Sequence, residues 1–372
     1  MTTLPGKHHE PAGLPALLDG LRQALRSAQP QLATLPLQPM LDKGLAHHHV
    51  RLQGSGLIAR LPKQSQMGLP AAANLAYEAA CFRRAAASGH VPALAGSLPP
   101  GPGLPRGGLL VEEIVGRPAR LPDDLPAIAT ALAALHALPL PPAAERAPLL
   151  DAADPLRALQ LEIDHQAQHL GAAGLPPRAL ALIASARAAL ARQCQAQARP
   201  LRRLIAFDAH PGNFLLRADG RAMLVDLEKA RYSHPPLDLA HATLYTSTTW
   251  DVASHAVLSP RQVAAAYVTW EAAWAAHGHP GDAPGQRPWF VPLRAAMWLW
   301  SVTWCAKWRV LAPRDTPAAA DGEDWSQQLT ADALVAHVRE RVDHYLGVPV
   351  IEQVADELRT LQQLFDTAAP AP

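Results

Sequence analysis

The sequence predicts a two-lobed α+β protein, with a small antiparallel β lobe carrying one helix and a larger, mainly helical C-terminal lobe. Three observations carry this expectation. The chain has 372 residues, more than one hydrophobic core usually organises, so two lobes are expected on length alone. Residues 44–116 break into short runs of strand character around one helical stretch. After Gly116 the pattern turns helical, interrupted by one strand–loop–strand passage at 204–226.

Residues 1–40 form a Pro-rich N-terminal segment with one helical pattern, "ALLDGLRQALRSA". The small lobe spans 41–116. In "GLAHHHVRLQGSGLIARLP", Val50 and Leu52 alternate with polar neighbours and "GSG" supplies a turn, which reads as strand, turn, strand. "AAANLAYEAACFRRAAASG" follows as a helix, with Leu75, Ala79 and Phe82 on one face and Gly89 as its stop. "HVPALAGSLP" and "GGLLVEEIVG" read as two further strands. The large lobe, 117–372, opens on "DDLPAIATALAALHAL", whose acids sit near the N-terminus, where the helix dipole favours them. "PRALALIASARAALARQCQAQ" is a second long helix. From 239 onward, helices broken by Pro-rich loops are expected, and no internal repeat is evident.

Charge is balanced, 33 basic residues against 32 acidic, which argues against a general electrostatic footprint for nucleic acid or a membrane surface. The three cysteines, Cys81, Cys194 and Cys305, form no CxxC pair. Their sparse, odd count fits a reduced cytoplasmic protein better than a disulfide framework. The N-terminal residues lack a basic stretch followed by a long apolar one, so no signal peptide is expected. The most apolar helical stretch, "AAMWLWSVTWCA", is too short to span a bilayer.

The passage "LIAFDAHPGNFLLR…MLVDLEKA" carries the chemistry. An apolar run ends in Asp208, a Pro-Gly turn delivers Asn213, and a second apolar run ends in Asp226. Magnesium is a hard cation that takes oxygen ligands and usually only one or two from protein. Asn213 and Asp226 offer one amide oxygen and one carboxylate, while Asp208 is left to orient or deprotonate a hydroxyl. That division of labour suits phosphoryl transfer, which needs positioning and charge neutralisation more than covalent help. Asp, Pro, Gly and Asn are also ordinary turn formers. The second acid, thirteen residues after Asn213 by number (226 − 213), is what separates the pattern from a plain turn.

"FDAHPGNFLL…MLVDLEKARYSHPPLDLA" resembles the aminoglycoside phosphotransferase and choline kinase superfamily, whose blocks run H-G-D-x-H-P-G-N, then I-D-x-E, then P-x-x-D-L-A. "LLVEEIVGRP", "ATALAALHALPLP" and "YEAACFRRAAASGHVP" resemble its hinge, its helix ending in L-x-x-L-H and its ion-pair helix, and the likeness covers roughly 40–245. The resemblance implies a protein-kinase-like fold that binds ATP, with GTP open as an alternative donor, and Mg2+. It implies transfer of the γ-phosphoryl group to a hydroxyl of a small molecule, such as an aminoglycoside, amino alcohol or sugar-like acceptor. By the same resemblance Asp208 is the catalytic base or orienting carboxylate, and Asn213 and Asp226 hold the metal. Arg60 and Glu78 form the ion pair beside the nucleotide phosphates. Glu112, Glu113, Ile114 and Val115 form the hinge that meets adenine. Asp238 ties the following segment to the catalytic loop, and the backbone of "GLAHHH" covers the phosphates.

Three departures from the family pattern stand out. Ala206 and Phe207 replace the His and Gly before the catalytic Asp. Arg60 stands at the lysine position, keeping the charge but not the geometry. The phosphate-covering turn has only Gly44. These departures support an alternative, a degenerate pseudokinase that binds nucleotide or ligand.

Other features read more plainly. Glu228 either contacts a second metal or substrate, or is a surface acid paired with Lys229 or Arg231. All nine tryptophans fall between 250 and 325. Trp300, Trp304 and Trp308 share one side of a helix and form either helix-packing core or a cation-receiving box. His165 and His169 have helical spacing but lack a third ligand, so a solvated helix face is expected, and "HHH" at 47–49 reads as a loop. No GxSxG elbow or GxxxxGK[ST] loop occurs, and no A-P-E segment follows "VDLEKA", which disfavours serine hydrolases, P-loop ATPases and protein kinases.

Overall fold

The computed structural model describes residues 13–40, 46–278, 284–312 and 332–367. These fall into two compact units, one built on 13–40, 46–76 and 94–113 with 332–335, the other on 77–93, 114–278, 284–312 and 336–367.

In the first unit, helix α1 (Leu14–Ala28) precedes strands β1 (Leu37–Pro39), β2 (His47–Leu52) and β3 (Leu57–Pro62). Helix α2 (Ala71–Ala85) then leads to β4 (Leu94–Leu98) and β5 (Gly108–Glu112). The antiparallel sheet runs β1-β2-β3-β5-β4, and His49 pairs with Arg60 in the β2–β3 ladder. Gly54 and Gly56 take positive φ in the connecting turn, a conformation that suits glycine. Leu21 and Leu25 of α1 join Val50, Leu52, Ala59, Leu61, Leu98 and Leu110 in one core. Each fully buried leucine contributes about 2 kcal/mol through removal from water. A side chain at Gly20 would strike the Gly103 carbonyl, so glycine there lets α1 lie directly on the 101–104 turn.

The helical pattern expected within residues 1–40 is α1, which supplies core to the sheet. One expectation changes here. His47–His49 are strand rather than loop: polar side chains hid the alternation, but the backbone ladder to β3 is complete from His47 to Leu52. Gly44, assigned to the phosphate-covering turn, lies outside the described residues. The expected strands at 94–98 and 108–112 and the α2 stop are observed, with Gly89 at φ 69°.

The second unit begins within α2, at residue 77. It contains β6 (Arg117–Pro118), α3 (Leu125–His136), α4 (Pro155–Ala167), α5 (Pro177–Gln195), β7 (Arg203–Ile205), β8 (Phe214–Leu216), β9 (Ala222–Leu224) and β10 (Arg231–Ser233). Helices α6 (Pro236–Thr243), α7 (Tyr245–Thr248), α8 (Pro260–Ala276), α9 (Phe290–Leu311), α10 (Asp332–Tyr345) and α11 (Val348–Thr367) follow. The apolar α3 packs on α8, and α9 packs on α4 and α6. The antiparallel pairs β7–β10 and β8–β9 lie between these helices in sequence and carry the loops of interest. Trp270, Trp274, Trp298 and Trp308 are buried, whereas Trp300 and Trp304 are half-buried, so the expected α9 trio divides between core and surface. His165 is exposed, as expected of a solvated face. Cys81, Cys194 and Cys305 are all unoxidised and buried. No helix among the described residues is long and apolar enough to cross a membrane.

Candidate active site

Strand β7 ends at Ile205, and the chain then turns through Ala206, Phe207 and Asp208. Asp238, on the first turn of α6, fixes this turn. Its Oδ2 accepts from the Ala206 amide at 2.7 Å and its Oδ1 from the Phe207 amide at 2.8 Å. The same Oδ2 accepts from His136 Nε2 at 3.0 Å, and Trp270 Nε1 donates to His136 Nδ1 at 3.0 Å. The indole donor leaves Nδ1 as acceptor, which fixes the Nε2–H tautomer. The carboxylate is fully buried, and these donors offset its loss of water.

Asp208 is held differently. Its Oδ2 meets Lys229 Nζ at 2.8 Å, and His241 Nδ1 lies 3.7 Å from its Oδ1. Burial alone would raise the Asp208 pKa, but the Lys229 ammonium, His210 and His241 together outweigh it and hold the carboxyl well below the usual range. Burial pushes His241 down to about 4, against the pull of Asp208, so the ring is neutral at pH 7 and its Nδ1–H faces the Phe207 carbonyl at 3.2 Å.

The Pro-Gly turn then returns the chain. The Asn213 amide donates to the Asp208 carbonyl at 2.8 Å, which uses its nitrogen and leaves Oδ1 for a ligand. Phe214 pairs with Leu224 in the β8–β9 ladder, and Val225 N donates to the Asn213 carbonyl at 2.9 Å. Asn213 and Asp226 are thereby brought to the same end of one hairpin. Two oxygen donors of this kind fit Mg2+. Gly212 closes against another loop: a Cβ there would lie 2.6 Å from Asp251 Oδ2 and 3.0 Å from Asp251 Cβ.

Glu228 is buried, not a surface acid. With Glu78 and Asp226 it adds negative charge around Cys81, whose thiol is pushed up first by burial and then by these acids. Glu78 thus shares a neighbourhood with Asp226 and Glu228. Arg60 is buried on β3. Of the hinge residues, Glu112 ends β5 and Glu113 bonds Gly56 through its amide (2.8 Å) and Arg51 through its carboxylate (2.6 Å). Ile114 is buried and Val115 is 82% exposed.

Sequence reasoning missed several neighbours of Asp208. Phe207 has φ 63°, the one positive φ outside glycine among the described residues. A left-handed conformation costs an ordinary residue about 1–2 kcal/mol. The buried ring carries the Arg231 guanidinium 3.7 Å from its centroid and meets Trp300 edge-on at 5.3 Å. Glu162 of α4 accepts from Trp300 Nε1 at 2.8 Å and from Arg231 at 3.1 Å, and Lys229 Nζ lies 5.7 Å from the Trp300 ring centroid. No spacing rule links residues 162, 207, 229, 231 and 300 along the chain, so their meeting is invisible in the sequence.

The sequence profile of the phosphotransferase enzyme family matches residues 41–279. No curated protein matches the sequence. Among solved structures, a choline/ethanolamine kinase family protein from Mesorhizobium loti is similar at TM-score 0.55 and 21% identity, over 92% of this chain and 99% of that one. Plasmodium vivax ethanolamine kinase is similar at TM-score 0.57 and 10% identity, over 90% and 89%. The GDP complex of aminoglycoside 2'-phosphotransferase-IIIa is similar at TM-score 0.52 and 14% identity, over 88% and 97%. The fold is therefore the two-lobed α+β fold of these small-molecule kinases. The chain belongs to the phosphotransferase enzyme family.

Proposed function

We propose that this protein transfers the γ-phosphoryl group of ATP to a hydroxyl of a small molecule, with Asp208 facing the acceptor and Asn213 and Asp226 holding Mg2+. The observation that carries the reading is the main-chain and side-chain bonding that gathers Asp208, Asn213 and Asp226 around one turn. Bound Mg2+ would neutralise phosphate charge. As the acceptor oxygen bonds to phosphorus, the bridging bond to the leaving nucleotide diphosphate breaks and the hydroxyl proton passes to the Asp208 side. A carboxylate held this acidic is a weak base, so its main work is orienting the hydroxyl while the proton leaves late. Arg60, Glu78 and residues 112–115 are assigned to the nucleotide by the same reading. The kinases and phosphotransferases named above support amino alcohols and aminoglycosides as the first acceptors to test. Asp251, whose carboxylate lies beside Gly212 of this turn, is assigned to the acceptor's wall. The intact Asp208, Asn213 and Asp226 set favours this reading over a degenerate pseudokinase.

The test is ATP and GTP consumption with Mg2+ across aminoglycosides, choline, ethanolamine, sugars and amino alcohols, with Asp208→Asn and Asp226→Ala alongside. Acceptor-dependent turnover that both substitutions abolish is expected. Nucleotide binding without turnover on any acceptor would instead favour the pseudokinase.

A further inference from the structure

Phe207 is held from every side. Its N–H donates to Asp238, its carbonyl faces His241 Nδ1–H, and its ring lies between Arg231 and Trp300. Held this fully, an unfavourable backbone conformation persists and marks a position with a task. Glycine would adopt the same φ without strain, so the turn itself does not call for a bulky residue. The ring must serve something that glycine cannot. Its two neighbours answer this. Arg231 is paired across the ladder with Ile205 and donates through Nε to the Lys229 carbonyl at 3.3 Å. Trp300 flanks the Lys229 ammonium. Lys229 in turn grips Asp208. The ring therefore joins the loop that carries the catalytic carboxylate to the loop that carries its cation, with Glu162 bracing both neighbours from α4.

Resting on the phosphotransferase reading, we propose that Phe207 is a positioning residue: its ring is a clamp that sets Asp208 against Lys229. It touches no reacting atom. It acts by fixing where the Asp208 carboxylate points, and a small misplacement of such a group costs rate far more than affinity.

The experiment compares Phe207→Leu, Trp300→Leu and Trp300→Phe with the wild type. Phe207→Leu keeps apolar bulk but loses the flat face. Trp300→Phe keeps an aromatic edge and loses the indole N–H together with the fused second ring. Three readouts are taken: kcat and KM on the best acceptor, hydrogen exchange of the peptide covering 203–214, and the melting transition. Phe207→Leu and Trp300→Leu are expected to lower kcat about ten- to hundredfold with KM within about twofold, and to speed exchange across 206–213. Trp300→Phe is expected to stay within about threefold of wild type. Lower melting with unchanged kcat and exchange would make the ring plain core and overturn the proposal. Should Phe207→Leu fail to fold, the half-buried Trp300 pair decides by the same readouts. Should the wild type turn over no acceptor, the phosphotransferase reading fails, and exchange alone judges the clamp: faster in both leucine variants supports it, unchanged overturns it.

Discussion

Two aspartates flank the turn at 206–208, and the protein treats them in opposite ways. Asp238 is wholly buried, and its oxygens are taken by two backbone amides and a histidine. Asp208 keeps 17% of its side chain exposed, and a mobile type of partner, a lysine ammonium, holds it. The first carboxylate is used up in making the backbone turn. The second is kept ionised and still reachable. Identical side chains at one turn are thus given different parts through the kind of donor each meets: fixed amides in one case, a compact charge on a flexible stem in the other.

The comparison breaks most sharply if Asp208 is neutralised. Asp208→Asn should cost about 10²–10⁴-fold in kcat while leaving the urea midpoint near wild type. A loss of folding instead would make Asp208 a second structural acid. Asp238→Ala should do the reverse, leaving three buried donors unpaired and lowering unfolding free energy by about 3 kcal/mol or more, read as a shift in the denaturation midpoint. Lys229→Met should raise the Asp208 pKa from its depressed position. The acid limb of the kcat profile then moves to higher pH, and kcat at neutral pH falls about tenfold. The smallest effect concerns acid alone. Burial pushes His234 and His241 down to about 4, against an ordinary value near 6.5. Between those values the unfolded chain binds protons that the folded chain refuses, so stability rises with pH across this window and is lost on acidification through it. Melting temperature should fall by a few degrees from pH 6.5 to 4, and His234→Gln should flatten part of that slope.

Much of this was legible beforehand. Asp208, Asn213 and Asp226 stand out as candidates because phosphoryl transfer fixes residue type and spacing along the chain. The strands at 57–62 and 108–112 and the helix from 71 were found because burial imposes a period. His47–His49 were misread because three polar residues in a row erase that period while the backbone ladder is indifferent to it. Helix α1 is legible as a helical pattern, but its place is not, because Leu21 and Leu25 pack on a sheet formed later in the chain. Glu228 was offered a surface role because nothing local distinguishes a buried acid from a solvated one. The partners of Lys229, His241 and Phe207 are hidden for the same reason: they come from other elements, and φ 63° at Phe207 is invisible in its letter.

The close approach of Gly212 to Asp251 has an evolutionary consequence. A side chain at position 212 would meet the Asp251 carboxylate at 2.6 Å, His210 Cε1 at 2.9 Å and Asp251 Cβ at 3.0 Å. Shortening Asp251 removes the first contact and leaves the other two, so alanine at 212 also needs the His210 ring to give way. Positions 210, 212 and 251 therefore vary as one unit, and a change at any of them alters what the other two tolerate.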